Sequence, residues 1–123
     1  MSYRIEKKLF IQKENFVEFK KKIIEKGAKK IFKDREINSL YFDNFKKEMF
    51  RDSLEGLTPR KKIRIRNYPK ETSKRLLFET KISSVEGRFK TNKLINEKYF
   101  GAITRNGIFD SKYGICKPIL NVN

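Results

Sequence analysis

The chain of 123 residues contains no His and no Trp, a single Cys, three Pro and six Gly. The absence of His excludes the Ser/His/Asp triad, the Cys/His dyad, His-ligated zinc and phosphohistidine transfer. The single Cys, Cys116, excludes an internal disulfide and a structural zinc cluster, and with no His to activate it we interpret this residue as buried or incidental. No stretch approaches the roughly 18 apolar residues of a membrane span, and the start of the chain has no apolar signal core. We therefore expect a soluble, cytoplasmic protein.

Acidic residues are also scarce. There are 15 Asp and Glu against 31 Lys and Arg, which gives a formal net charge of +16. An excess of this size in a small domain favours an anionic partner. The 11 Phe and 5 Tyr, with recurrent Ile and Leu, are enough for one hydrophobic core. Because the chain shows no repeat, linker or break in composition, we expect one domain over residues 1–123.

The periodicity of apolar residues predicts an α+β fold. Strands follow from alternation with period two, and helices from apolar stripes at helical spacing. The predicted strands are 3–11, 37–42, 61–68, 76–83 and 117–122, and the predicted helices are 14–26, 45–55 and 94–105. The strands 61–68 and 76–83 are predicted to pair as a hairpin around a polar turn. The strand at 117–122 has no successor, which suggests a domain truncated at its C-terminal end.

A row of basic residues on the strand at 61–68 is the main candidate site. Arg60, Lys62, Arg64 and Arg66 share parity, so they are predicted to lie on one face, opposite Ile63 and Ile65. Neighbours on that face are about 6.8 Å apart and repel by roughly 2.4 kcal/mol at an effective dielectric of about 20. Arg suits phosphate because its planar fork binds two oxygens. The alternative interpretation is a solvated strand face in a Lys-rich protein.

Two other strands each carry a Glu-x-Lys pair on one face, Glu79 with Lys81 and Glu6 with Lys8. A mixed acidic and basic lining suits a metal–triphosphate complex, in which carboxylates hold Mg²⁺ or Mn²⁺ and cations hold phosphate oxygens. The alternative for the acidic residues is an ordinary cross-strand salt bridge.

Four blocks together resemble the VTC domain of the triphosphate tunnel metalloenzymes, which are related to the CYTH proteins. The order and spacing of these blocks match across most of the chain. They are Arg4-Ile5-Glu6-Lys7-Lys8, Ile37-Asn38-Ser39-Leu40-Tyr41-Phe42-Asp43-Asn44, Lys62-Ile63-Arg64-Ile65-Arg66-Asn67-Tyr68 and Phe78-Glu79-Thr80-Lys81.

The resemblance implies an antiparallel β-sheet forming part of a basic β-tunnel, the triphosphate tunnel fold, with flanking helices. It implies a polyphosphate polymerase that moves the terminal phosphate of ATP onto inorganic polyphosphate with a divalent metal, Mn²⁺ or Mg²⁺. The phosphate-binding residues it implies are Lys8, Arg64, Arg66 and Lys81, with Lys90 or Lys93 at a further basic position, and Arg60 and Lys62 extend the row. Glu6 and Glu79 would be tunnel acids that pair with these cations or assist the metal.

The resemblance implies further strands that form the second half of the tunnel, and we expect the chain to be the N-terminal part of such a domain. We therefore expect the isolated chain to have little or no polymerase activity, and to associate with itself or with a missing C-terminal half. Two other functions are considered. One is a non-catalytic module that binds polyphosphate, inositol phosphates or RNA, and the other is a triphosphatase of the same superfamily.

Overall fold

The structure, a computed structural model, describes residues 7–123. These residues form two compact units divided between Asp34 and Arg35. In the first unit, a 3-10 turn at Lys13–Asn15 leads into helix α1, Phe16–Glu25. Gly27, at a φ of 96°, follows the end of this helix, next to the boundary of the helix predicted at 14–26. Of the strand predicted at 3–11, residues 3–6 lie outside the described residues, and residues 7–11 form no strand.

The second unit contains one antiparallel sheet of six strands. These are β1 (Asn38–Asp43), β2 (Arg60–Asn67), β3 (Leu76–Ser83), β4 (Arg88–Ile95), β5 (Ile108–Asp110) and β6 (Gly114–Val122). Helix α2 spans Glu48–Glu55, and helix α3 spans Phe100–Asn106 after a 3-10 turn at Glu97–Tyr99. The strand order is β4-β3-β2-β1-β6-β5, and the sheet is curled like half of a barrel. The predicted α+β class with a tunnel-type antiparallel sheet is therefore confirmed.

The predicted helix at 94–105 is partly wrong. Residues Arg88–Ile95 pair with β3 along its whole length, and the helix begins only at Phe100. Every side chain of β4 except Ile95 is exposed, so its two faces do not alternate between apolar and polar residues. Backbone pairing with β3 holds β4 in place. Such pairing leaves no periodic pattern in the sequence of β4.

The core lies on one face of the sheet. Ile63 and Ile65 of β2, both at most 3% exposed, pack in one cluster with apolar side chains from the neighbouring strands and from α2. Cys116 belongs to this cluster and is fully buried. This agrees with the interpretation of Cys116 from the sequence as a buried or incidental residue. Burial, together with the charges of Asp110 and Asp43, raises the pKa of the Cys116 thiol to about 11.

A buried ion pair closes one edge of the core. Asp110, which is 5% exposed, accepts from Nζ of Lys61 at 2.5 Å and from the backbone N–H groups of Lys112 and Tyr113 at 3.0 and 3.1 Å. Burial alone would raise the pKa of Asp110, but these three donors outweigh it and the pKa is lowered. The side chain of Lys61 is therefore held in an ion pair with Asp110 at the turn between β5 and β6.

The Asp43–Asn44 pair turns the chain from β1 into α2. The carboxylate of Asp43 accepts from the backbone N–H groups of Met49 and Phe50, at 3.0 and 2.9 Å, and so caps the first turn of α2. Asn44 accepts from the backbone N–H of Glu48 and donates to its carboxylate. Within the block that ends in Asp43-Asn44, these two residues are therefore structural.

We predict that Asp43→Ala lowers the free energy of unfolding by about 2 kcal/mol, the upper end for a helix cap, because its acceptor oxygens are buried. The measurement is urea denaturation followed by circular dichroism. Glu55→Ala, at the exposed end of the same helix, is the matched control and should change stability by less than about 0.5 kcal/mol. Equal stability of the two variants would show that Asp43 does not hold the helix.

Candidate phosphate-binding site

The alternation predicted for β2 is confirmed. Ile63 and Ile65 are buried in the core, while Lys62 is exposed and the neighbouring arginines are half-buried on the opposite face. Strand pairing brings further cations onto this second face, since directly opposed residues of antiparallel strands share a face. The cationic face, as we call this set, consists of Arg60, Lys62, Arg64, Arg66, Lys81, Arg88 and Lys90.

Arg64 occupies the middle of the cationic face, between Tyr41 of β1 and Glu79 of β3. Its Nε lies 2.5 Å from Oε2 of Glu79, and its Nη1 lies 3.2 Å from Oη of Tyr41. Burial lowers the pKa of Arg64, but the bonds to Tyr41 and Glu79 outweigh burial and raise it. The guanidinium is therefore charged and fixed in direction.

Among residues 7–123, Glu79 is the single carboxylate on the cationic face, and it is only 5% exposed. One of its oxygens pairs with Arg64, and the other lies 3.8 Å from Nζ of Lys90. The cross-strand salt bridge considered for this residue is thus present. A buried carboxylate beside two cations holds those cations in place and lowers the repulsion between them.

Arg66 lies one pair further along β2, opposite Ser39 of β1 and Leu77 of β3. Its Nε donates to Oγ of Ser39 at 3.1 Å, and Ser39 is 5% exposed. Among residues 7–123 no carboxylate pairs with Arg66. Its two terminal nitrogens can therefore take an anion in the bidentate manner that suits phosphate.

Three lysines cross the sheet in one row, because Lys62 pairs with Lys81 and Lys81 pairs with Lys90. Like charges directly opposite each other destabilise a sheet. Within the described part of the chain, neither Lys62 nor Lys81 forms an ion pair. An anion bound across this row of lysines would relieve the repulsion between them. On a face exposed only to solvent, no bound charge would compensate this repulsion.

The structure brings together most of the predicted site residues. Arg60, Lys62, Arg64, Arg66, Lys81, Lys90 and Glu79 all lie on one face of the second unit. Lys93 pairs with Phe78 and lies on the opposite face, so Lys90 is the residue of β4 that matches the predicted basic position. Lys8 is an exposed residue of the first unit, and its place in the site stays a prediction. Glu6 lies outside the described residues.

The described residues do not form a metal site by themselves. No group of three His, Cys, Asp or Glu side chains converges anywhere in residues 7–123. Glu79, the described candidate ligand, has both oxygens beside cations. A hard divalent cation takes six or more oxygen ligands, and Glu79 would have to leave Arg64 to become one of them.

Ser39 and Arg88 were missed by reasoning from the sequence, and Tyr41 was placed beside the tunnel by its matched block but given no role in orienting an arginine. Ser39 and Tyr41 orient the two central arginines, and Arg88 extends the cationic face beside Ser83 and Arg60. The shared parity of Ser39 and Tyr41 on a predicted strand was an available signal. Their meeting with Arg66 and Arg64 depends on the register between β1 and β2, which no local pattern specifies.

The curled antiparallel sheet is consistent with a tunnel-like fold, and one of its faces is rich in arginine and lysine. A family model, the VTC domain, matches residues 3–114, and the chain belongs to this family. The family is related to polyphosphate polymerases. A search of curated proteins finds no match to the chain. In the described part of the chain, no helix is both long enough and apolar enough to cross a membrane.

Proposed function

We propose that the cationic face binds the phosphates of ATP and inorganic polyphosphate, and that the domain transfers the terminal phosphate of ATP to a polyphosphate chain. The observation that carries this proposal is the row of Lys62, Lys81 and Lys90 beside two fixed arginines, with one carboxylate among them. This arrangement has more cations than its own anion can balance. It is suited to a linear polyanion that spans several strands.

The residues of the cationic face account for the part of phosphoryl transfer that a protein performs. The reaction depends mainly on positioning and on stabilising charge over the phosphate oxygens, and it needs no covalent intermediate. Arg64 and Arg66 would bind neighbouring phosphates. Their guanidinium groups are oriented by hydrogen bonds to Tyr41 and Ser39. Donors held in place before the reaction need no reorganisation as charge develops. Such a site is compatible with a chain that lacks His.

The divalent metal remains part of the proposal, as a cation that accompanies the nucleotide and neutralises charge on its phosphates. Glu6 and Glu79 are the residues that the family resemblance offers to it. Because Glu79 is engaged with Arg64 and Lys90, we assign it first to those cations.

The open edges of the sheet support the proposed association with another chain. Among residues 7–123, β4 pairs only with β3, and the second half of β6 pairs only with β1. The cations of β4 oppose pairing with a second copy of itself, since charged edges discourage such contacts. The exposed Ile119, Leu120 and Val122 make β6 the more favourable edge.

The test is incubation of the purified chain with ATP, Mn²⁺ and a short polyphosphate primer, with monomer and any oligomer separated beforehand. We expect little or no lengthening of polyphosphate by the monomer, and slow, primer-dependent lengthening by an oligomer that is lost in Arg64→Ala. The monomer should be the slower species, because an open half-barrel leaves bound phosphates in water, where salt screens charge within about 10 Å at 0.1 M.

The other outcomes distinguish the other functions. Orthophosphate as the sole product would mean a triphosphatase. Tight binding of polyphosphate without turnover by the monomer and by any oligomer would mean a binding module. Either result would contradict the proposed transfer reaction.

A further inference from the structure

The outer edge of β4 is a row of backbone groups without a partner strand. β4 stands at one end of the sheet, and among residues 7–123 it pairs with β3 alone. This pairing runs from Arg88 to Ile95 without a shift of register. In an antiparallel strand, the N–H and C=O groups of alternate residues point to opposite edges. The edge that faces away from β3 therefore presents a series of donors and acceptors to a further strand.

β4 lacks most of the features that protect an edge strand from pairing. Edge strands are commonly short, interrupted by Pro or by a bulge, or covered by another element. β4 has 8 residues and no Pro, and every side chain except that of Ile95 is exposed. The usual length of a strand is about five or six residues. The protective feature that β4 does have is charge, because Arg88, Lys90 and Lys93 are cations and the strand contains no acidic residue.

The cations of β4 lie on both of its faces. Arg88 and Lys90 belong to the cationic face, whereas Lys93 lies on the opposite face together with Phe89, which is 55% exposed. Side chains of directly paired residues share a face and interact. A strand added at the outer edge would therefore meet three cations and one exposed aromatic ring. Acidic side chains opposite the cations and a β-branched side chain opposite Phe89 would complement this edge.

We propose that the outer edge of β4 binds an extended acidic segment of another protein, which adds a further strand to the sheet. In complexes of this kind, main-chain hydrogen bonds give the affinity, and the side chains on the two faces give the specificity. Charge selects the partner here. A second copy of β4 would place cations against cations, whereas an acidic strand would place anions against them. The inference concerns a protein partner and is separate from the proposed transfer of phosphate.

The test uses the monomer of the full chain and a fluorescently labelled peptide, Val-Val-Glu-Thr-Val-Glu-Val-Glu, at a salt concentration of about 0.15 M. In an antiparallel register, its glutamates lie opposite Lys93, Lys90 and Arg88. A second peptide with Pro-Pro in place of the central Thr-Val has the same charge but lacks two N–H donors. We expect the second peptide to bind at least about fivefold more weakly in anisotropy titrations, because strand pairing is lost.

Lys93→Glu is the test variant, because Lys93 is exposed and lies outside the cationic face. It should weaken binding of the first peptide at least about fivefold, since an attraction becomes a repulsion. Lys46→Glu is the matched control, with the same change of charge in the exposed turn between β1 and α2. It should change the affinity less than about twofold. The double variant Arg64→Ala/Arg66→Ala should still bind the peptide.

Hydrogen exchange of the β4 amides, resolved by residue, locates the bound peptide. In the complex, exchange should slow at every second residue of β4, at the amides that face away from β3. No binding, equal affinity for the two peptides, or no slowing in β4 would overturn the inference. Loss of binding in Arg64→Ala/Arg66→Ala but not in Lys93→Glu would place the peptide on the cationic face and would also overturn it.

Discussion

Replacing Arg64 or Arg66 with Ala is expected to weaken tripolyphosphate binding by about 1–3 kcal/mol each, which is roughly fivefold to more than a hundredfold. Both guanidinium groups are oriented by neighbouring hydroxyl groups toward the same face. The loss should be larger for Arg64, because its removal also leaves the buried carboxylate of Glu79 with Lys90 as its one remaining described cation. The measurement is isothermal titration calorimetry at fixed ionic strength.

Variants elsewhere separate a built site from bulk charge. Arg105→Ala removes the same side chain from an exposed position on α3, and Lys20→Ala or Lys21→Ala removes a cation from the exposed surface of α1. These controls should change the affinity less than about twofold, since solvent and salt screen charges on exposed side chains. If they weaken binding as much as the variants of Arg64 and Arg66, only net charge matters and the site is wrong.

Replacing Glu79 with Gln is expected to have two opposite effects. Without ligand, the variant should be less stable by about 1–3 kcal/mol, because Arg64 and Lys90 lose a charge-assisted partner. With tripolyphosphate, its affinity should rise severalfold, because the one carboxylate of the cationic face no longer repels the ligand. Thermal unfolding with and without tripolyphosphate measures both effects.

The same variant decides whether Glu79 serves the cations or a metal. If Glu79 holds Arg64, the gain in affinity should be the same with Mn²⁺ and with a chelator present. Thr80→Ser is a neighbouring control that keeps the hydroxyl group which contacts Thr91. A loss of affinity that appears only with Mn²⁺ would assign Glu79 to the metal and contradict our assignment.

The centre of the site could be predicted from the sequence because one strand carries it. The alternation of Ile63 and Ile65 with Arg64 and Arg66 specifies which face each side chain takes. A shift of the register by one residue would exchange the two faces and bury the arginines, so one register is strongly favoured. The hairpin also brings Lys62 opposite Lys81 and Arg64 opposite Glu79, as a symmetric pairing of β2 with β3 requires. Local pattern and tertiary structure agree in this segment.

The remainder of the site depends on contacts that no local pattern specifies. Lys90 belongs to a strand with no buried face, so nothing in the periodicity of that strand distinguished it from a loop or a helix. Ser39 reaches Arg66 only through the pairing of β1 with β2, across a helix and two turns.

The central claim is that this chain has a built site for linked phosphates, and thermal unfolding tests it most directly. The melting temperature is measured in tripolyphosphate and in sulfate at equal ionic strength, for the unaltered chain and for the double variant Arg64→Ala/Arg66→Ala. Ligand bound to the native state stabilises it by about 2.7 kcal/mol at a hundred times its dissociation constant. We predict a rise of several degrees for the unaltered chain in millimolar tripolyphosphate, a smaller rise in sulfate, and little difference between the two anions for the double variant. Equal melting temperatures of the unaltered chain in the two anions would contradict the account.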